Sequence, residues 1–188
     1  YKFKSIQPTP IVSFAIRELK CTCGIVLTAS HNPKEYNGYK VYWEDGGQIV
    51  PPIDSRLTEE ISGVKYSEIK FKQKENLIHT LDSSIEESYV EKSLSFFNKL
   101  FPNSEKNLKI VFTSLHGTSH KLVPTLLKKT GFLELKLVDK QMNPDGDFTH
   151  AKSSNPEDKL ALIDAIEIAK KNNSDLVIGT DPDADRFG

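Results

Sequence analysis

Three short apolar runs in this chain each end in a turn that carries chemistry. Ile25-Val26-Leu27-Thr28 runs into Ser30, Leu108 to Thr113 runs toward His116, and Leu176-Val177-Ile178-Gly179 runs into Asp181. Runs of this length and composition, bounded by turn residues, read as short apolar strands. Between the second and third the pattern turns helical. Gly117 to Thr130 is one helical stretch, Leu135 to Val138 is a strand, and Asn155-Pro156-Glu157 opens the next helix. That opening combines a capping side chain, proline at the first position and an early acid. Leu160, Ile163, Ile166 and Ala169 then share one face. Such alternation predicts an α/β fold, with mixed or mostly parallel sheets covered by helices. Ligands in such sheets sit beyond the carboxyl ends of strands, which is where Ser30, His116 and Asp181 fall.

The first half is less regular. Residues 9–20 read as a helix, with Thr9 as cap and Pro10 in the first turn. Tyr39 to Trp43 is aromatic and β-branched and reads as a strand. Asn32-Pro33, Asn37-Gly38 and Asp45-Gly46-Gly47 are turns, and Pro51-Pro52 opens a helix to about Ser62. Residues 63–82 are polar and mixed, and helical periodicity resumes from Ser84 to Leu100. This places a domain boundary at 82, giving two units, 1–82 and 83–188.

Charge excludes some partners. The net charge of -1 provides no field for nucleic acid or a membrane surface. Lys128-Lys129 and Lys170-Lys171 are local pairs near helix ends, where positive charge suits the dipole. Cys21 and Cys23 lack the second ligand pair of a zinc site and read as reduced thiols. No apolar run approaches the about 18 residues of a membrane span, and no signal peptide is visible, so the expected location is the cytoplasm. The chain begins at Tyr1 and finishes directly after the acidic motif. The expectation is an internal piece of a longer protein.

Two motifs carry chemistry. Thr28-Ala29-Ser30-His31-Asn32-Pro33 offers a hydroxyl in a turn, and Asp181-Pro182-Asp183-Ala184-Asp185-Arg186 offers three alternating carboxylates and a guanidinium. Alternate residues of an extended segment lie on one side, roughly 7 Å apart. A modest curl would bring their oxygens onto one hard cation, and Mg²⁺ takes oxygen ligands. An EF-hand also opens Asp-x-Asp-x-Asp, but it needs glycine where Arg186 stands. A solvated acidic turn is the competing reading. Arg186 can bind phosphate oxygens or simply compensate the acids.

Ser30 lacks the glycines of a hydrolase elbow. Neighbouring side chains usually point apart, which argues against a Ser30–His31 dyad. A phosphate-carrying serine needs only exposure, a nearby cation and donors, which Asn32 and backbone N–H groups can supply. Lys40, with a cation and Arg186 nearby, would have a depressed pKa suited to acid–base work, or would be an exposed edge-strand lysine. His116, between a strand and a helix, reads as a phosphate or interdomain contact or as a structural histidine.

GIVLTASHNPKEYNGYKVYWEDGGQIVPP, residues 24–52, closely resembles the phosphoserine region of the α-D-phosphohexomutase family. KIVFTSLHGTS (109–119), SSNPED (153–158) and GTDPDADRFG (179–188) resemble later stretches of that family in the same order. The wording around YWEDGGQI and SLHGTS is most like the longer phosphoglucomutase and phosphopentomutase-like branch. The resemblance implies a Mg²⁺-dependent phosphosugar mutase, moving a phosphoryl group between C1 and C6 or C5 of a sugar phosphate. A sugar bisphosphate would be the intermediate and activator. Ser30 would be the phosphoserine, with His31 and Asn32 in its loop. Asp181, Asp183 and Asp185, with a Ser30 phosphate oxygen, would hold Mg²⁺. Lys40 and Arg186 would assist proton transfer and charge stabilisation. Family members have four domains around a cleft, and this chain resembles the later part of the first and most of the second. Two incomplete phosphohexomutase-type domains are therefore expected, with little turnover by the chain alone. A non-catalytic metal- or phosphosugar-binding protein of the same fold is the alternative.

Overall fold

A computed structural model describes all residues from Tyr1 to Gly188. The chain runs β1 (Lys2–Phe3), α1 (Thr9–Glu18), β2 (Cys23–Leu27), β3 (Tyr39–Trp43), α2 (Ile53–Gly63), β4 (Thr80–Leu81), α3 (Ser84–Leu100), β5 (Ile110–Thr113), α4 (Leu122–Thr130), β6 (Leu135–Leu137), α5 (Ile163–Asn172) and β7 (Leu176–Gly179). Four short 3₁₀ turns lie in three of the connections, two of them between α2 and β4. No helix is long and apolar enough to cross a membrane.

The second half is a parallel sheet in the order β6-β5-β7. All four residues of β5 are buried, as a central parallel strand covered on both faces requires. Val111 packs with Val138, Ala165 and Ala169 in one core cluster. The alanines recur every four residues of α5, so the helix turns one small-residue face to the strand. His116 and Asp181 accordingly leave the carboxyl ends of β5 and β7. In the first half, β2 and β3 form an antiparallel pair from Cys23↔Trp43 to Leu27↔Tyr39. α1 packs its Ile11 and Ala15 against Ile85 of α3, and the Phe14 and Tyr89 rings meet edge to face at 5.4 Å. β1 pairs in parallel with β4.

Two helix starts differ from expectation. α5 begins at Ile163, not near Asn155. The Asn155 and Asp158 side chains accept the N–H groups of Glu157 and Leu160, each two residues on. Those local bonds close successive turns that compete with a helix. At α1 the cap position is Pro8, and the buried Thr9 hydroxyl has no partner. The Thr9 N–H instead donates to the Asp183 carbonyl at 2.8 Å. A free amide of the helix start is thus satisfied by the acidic loop.

The asymmetry in burial is testable. Val111→Ala should cost about 2–3 kcal/mol by urea denaturation. Ile61→Ala should stay within about 0.5 kcal/mol, because α2 buries no residue.

Candidate active site

The acidic motif is a tight turn, where the sequence suggested an extended segment with a gentle curl. Thr180 bridges Phe187 across the turn, and the Asp181 N–H donates to the Arg186 carbonyl at 3.2 Å. The Ala184 N–H reaches the Asp181 carbonyl at 3.0 Å, with Ala184 left-handed at φ 60. The Arg186 N–H donates to Asp181 Oδ1 at 3.0 Å. As a result, one oxygen from each of Asp181, Asp183 and Asp185 lies within 4.8 Å of the other two. Asp181 and Asp183 are buried, and Asp183 Oδ1 has no hydrogen-bond partner. A buried carboxylate oxygen without a donor, beside two others, fits a hard divalent cation.

The turn is braced from behind. Both the N–H and the hydroxyl of Thr118 donate to the Pro182 carbonyl, at 2.8 and 2.9 Å. Gly117 has to be glycine, since a Cβ there would lie 2.6 Å from Pro182 Cα.

The serine loop reaches the turn from the β2–β3 pair. Ser30 Oγ donates to Asp181 Oδ2 at 2.8 Å. Ser30 is left-handed at φ 53, which costs a non-glycine residue about 1–2 kcal/mol. That conformation swings the next side chain round, so His31 Nδ1 lies 3.2 Å from Ser30 Oγ. The expectation that the two point apart is corrected: it holds for extended backbone, and Ser30 is not extended. His31 Nδ1 is also 4.0 Å from Asp181 Oδ2. The Asn32 N–H closes a turn on the Ala29 carbonyl at 3.1 Å, and its side chain is exposed.

Lys40 Nζ lies 2.8 Å from both Asp183 Oδ2 and Asp185 Oδ2. Burial alone would lower its pKa, but hydrogen bonds and charge from the two aspartates prevail and raise it above the ordinary 10.5. That direction is opposite to the expected depression, because the two aspartates face Lys40. The Arg186 guanidinium turns away from the carboxylates to Glu157, at 3.9 Å and half-exposed. His116 is buried and uses both ring nitrogens inside the second half of the chain. Nδ1 donates to the Asn143 carbonyl at 2.8 Å, and Nε2 accepts the His150 N–H at 3.1 Å. It organises the 143–150 loop.

Sequence reading passed over four contributors. Thr28 Oγ1 donates to Asp183 Oδ2 at 3.1 Å and accepts the Ser30 N–H at 2.8 Å. Ser154 Oγ donates to the His31 carbonyl at 2.8 Å, and Lys34 pairs with Asp147 at 2.8 Å. Thr28 and Ser154 stand inside motifs already singled out. Lys34 and Asp147 carry no local signal, because their pairing joins two loops distant in sequence. A cleft of 560 Å³ opens beside Thr28, Pro182 and Asp183 and extends to Phe3 and Gln7. A larger cleft of 650 Å³, between α1, α3 and α4, shares no residue with the acidic loop.

Asp181 and Asp183 are pushed apart electrostatically. Burial, then the neighbouring Asp183, raises Asp181 to about 6. Burial also opposes ionisation of Asp183, but the Lys40 ammonium and other donors outweigh it and lower its pKa. Asp183 has the Lys40 contact and Asp181 does not, so Asp181 takes up a proton first as pH falls.

Ser30 Oγ thus meets a triad of carboxylates that could hold a metal ion. Comparison with known proteins shows the family. The family models for phosphoglucomutase/phosphomannomutase alpha/beta/alpha domains I and II match residues 1–68 and 87–188. The chain belongs to the phosphoglucomutase/phosphomannomutase family. It is 45% identical over 186 residues to a phosphoglucomutase of Staphylococcus aureus, covering 97% of this chain and 33% of that protein. A solved Thermus thermophilus protein, described as a candidate phosphomannomutase, superimposes with a TM-score of 0.80 at 26% identity, over 99% of this chain and 40% of that one. An N-acetylphosphoglucosamine mutase variant of Aspergillus fumigatus, solved with glucose 1,6-bisphosphate, shares the fold at TM-score 0.53 and 15% identity, over 95% and 45%. The chain spans about a third of the length of its curated relatives.

The raised Asp181 pKa has a testable sign. In EDTA at pH 7, Asp181→Asn should raise folding stability by about 1–3 kcal/mol, because it removes a buried charge. The raised folded pKa favours the folded state at low pH, and that advantage is lost as pH rises from about 4 to about 6. The benefit of asparagine should therefore shrink as pH falls through that window, read as thermal midpoints against pH.

Proposed function

We propose that this chain forms the phosphoserine and cation-binding half of a phosphosugar mutase. The observation that carries the proposal is the 2.8 Å contact from Ser30 Oγ to Asp181, a carboxylate of the converging triad. Ser30 Oγ is the atom that gives and takes the phosphoryl group. In the forward half-reaction its O–P bond breaks while a substrate hydroxyl oxygen forms the new one. The substrate hydroxyl proton is released as Ser30 Oγ regains one. His31 Nδ1, 3.2 Å from Ser30 Oγ, is placed to handle that proton. The bisphosphate then returns its other phosphoryl group to Ser30 by the same chemistry reversed.

Asp181, Asp183 and Asp185 would hold Mg²⁺, which supplies charge neutralisation on the phosphoryl oxygens. Lys40, kept protonated by two aspartates, adds positive charge beside them. Arg186, half-exposed and only loosely paired with Glu157, is free to turn toward substrate phosphate. His116 supports the site indirectly, through the 143–150 loop whose Asp147 pairs with Lys34. Substrates are hexose or pentose phosphates, and the bisphosphate bound by the Aspergillus fumigatus neighbour supports a ligand of that kind. A unit boundary near residues 82–83 is supported by family matches that end at 68 and resume at 87.

The full-length gene product containing this chain, purified without phosphatase treatment, should carry one phosphoryl group on Ser30 by peptide mass spectrometry. Ser30→Ala should lose at least about 1000-fold in kcat, and EDTA should abolish activity that Mg²⁺ restores. An unmodified Ser30 in active enzyme, together with a fully active Ser30→Ala variant, would falsify the proposal.

A further inference from the structure

We propose that Thr28 is a positioning residue for phosphoryl transfer. Its hydroxyl ties the left-handed Ser30 backbone to Asp183 and sets which Asp183 oxygen is offered to the cation. The inference rests on the reading of Ser30 and the acidic triad given above.

The polarity of the link is fixed. The Ser30 N–H can only donate, and it reaches Thr28 Oγ1 at 2.8 Å. The single hydroxyl proton of Thr28 is then free for Asp183 Oδ2, at 3.1 Å. A carboxylate oxygen that already accepts from the Lys40 ammonium accepts from the Thr28 hydroxyl as well. Oδ2 thus receives two donors, Thr28 Oγ1 and Lys40 Nζ at 2.8 Å. Oδ1 receives none and is buried. Two donors on one oxygen fix the rotation of the carboxylate and leave the other oxygen available to ligate.

Thr28 is itself immobilised. Its N–H donates to the Gly38 carbonyl at 3.1 Å, and Gly38 leaves no room for a Cβ against the Thr28 carbonyl. The hydroxyl therefore works from a clamped backbone, two residues before a strained serine. Without it the Ser30 N–H loses its acceptor in a part-buried position, and Asp183 Oδ2 loses one of its two donors. One side chain couples the nucleophile's conformation to the orientation of a cation ligand, and neither motif alone shows this.

Thr28→Val keeps the branched shape and removes the hydroxyl, whereas Thr28→Ser keeps the hydroxyl. In the full-length Mg²⁺-loaded protein, Thr28→Val should lower kcat about 30- to 100-fold. The KM for sugar phosphate should stay within about threefold, because the Thr28 hydroxyl is already engaged by the Ser30 N–H and Asp183. Thr28→Ser should restore kcat to within about threefold of wild type. Mn²⁺ affinity, read by EPR, should fall about 3- to 10-fold in Thr28→Val and recover in Thr28→Ser. Should Thr28→Val fail to fold, wild-type amide exchange decides: a Ser30 N–H exchanging as fast as an unstructured peptide overturns the inference. It is equally overturned if Thr28→Val keeps kcat within twofold, or if serine is as impaired as valine. An active Ser30→Ala variant would sink the functional reading itself. A dead Ser30→Ala beside a fully active Thr28→Val would sink only the role of Thr28.

Discussion

Three carboxylates within 4.8 Å of one another, two of them buried, are a costly thing to build, and the arrangement of this protein turns on what offsets that cost. The compensation is collected from widely separated parts of the chain. Lys40 of β3 supplies the positive charge, Ser30 and Thr28 supply hydroxyl donors, and the Arg186 amide closes the turn. Thr9 at the start of α1 and Thr118 after β5 satisfy the carbonyls of Asp183 and Pro182. The β2–β3 pair has no backbone ladder to the β6-β5-β7 sheet. Beyond the carboxyl end of β2 it is joined to that sheet through this polar cluster.

The same junction concentrates backbone strain. Ser30, Leu115, His116 and Ala184 all have positive φ without being glycine, and all lie in the loops that leave β2, β5 and β7. Strain of this kind persists only where surrounding contacts over-determine it. Here the contacts are specific. Gly38 lies flat against the Thr28 carbonyl, Gly117 lies against Pro182, and the His116 ring is held at both nitrogens. A net hydrogen bond contributes about 0.5–1.5 kcal/mol, similar to the cost of one left-handed residue. No single bond would keep Ser30 in place, so the bonds from its amide and its hydroxyl act together. Both end on carboxylates of the triad, the first by way of Thr28.

The five longer strands were legible as short apolar or β-branched runs, although Ile25 and Leu27 of β2 are exposed, while the two-residue strands β1 and β4 carry no such run. β3 and α3 fall where composition placed them, at Tyr39–Trp43 and Ser84–Leu100. The start of α5 was misread because Asn155-Pro156-Glu157 has the composition of a helix cap, while the side chains there close local turns. Thr9 was misread as a cap because its competing partner, the Asp183 carbonyl, lies far along the chain. The Ser30–His31 contact was missed because it depends on one backbone dihedral that composition does not report.

By itself the sequence determined the α/β alternation, the strand ends at which chemistry gathers, and the residue types available there. Local periodicity and side-chain chemistry suffice for that. Tertiary structure alone decided that Lys40 pairs with Asp183 and Asp185, that Arg186 faces Glu157, and that Thr28 links the serine to Asp183. Each of these outcomes depends on burial and on distances between groups far apart in sequence. A pKa or a hydrogen bond is set by such distances, and no local pattern encodes them.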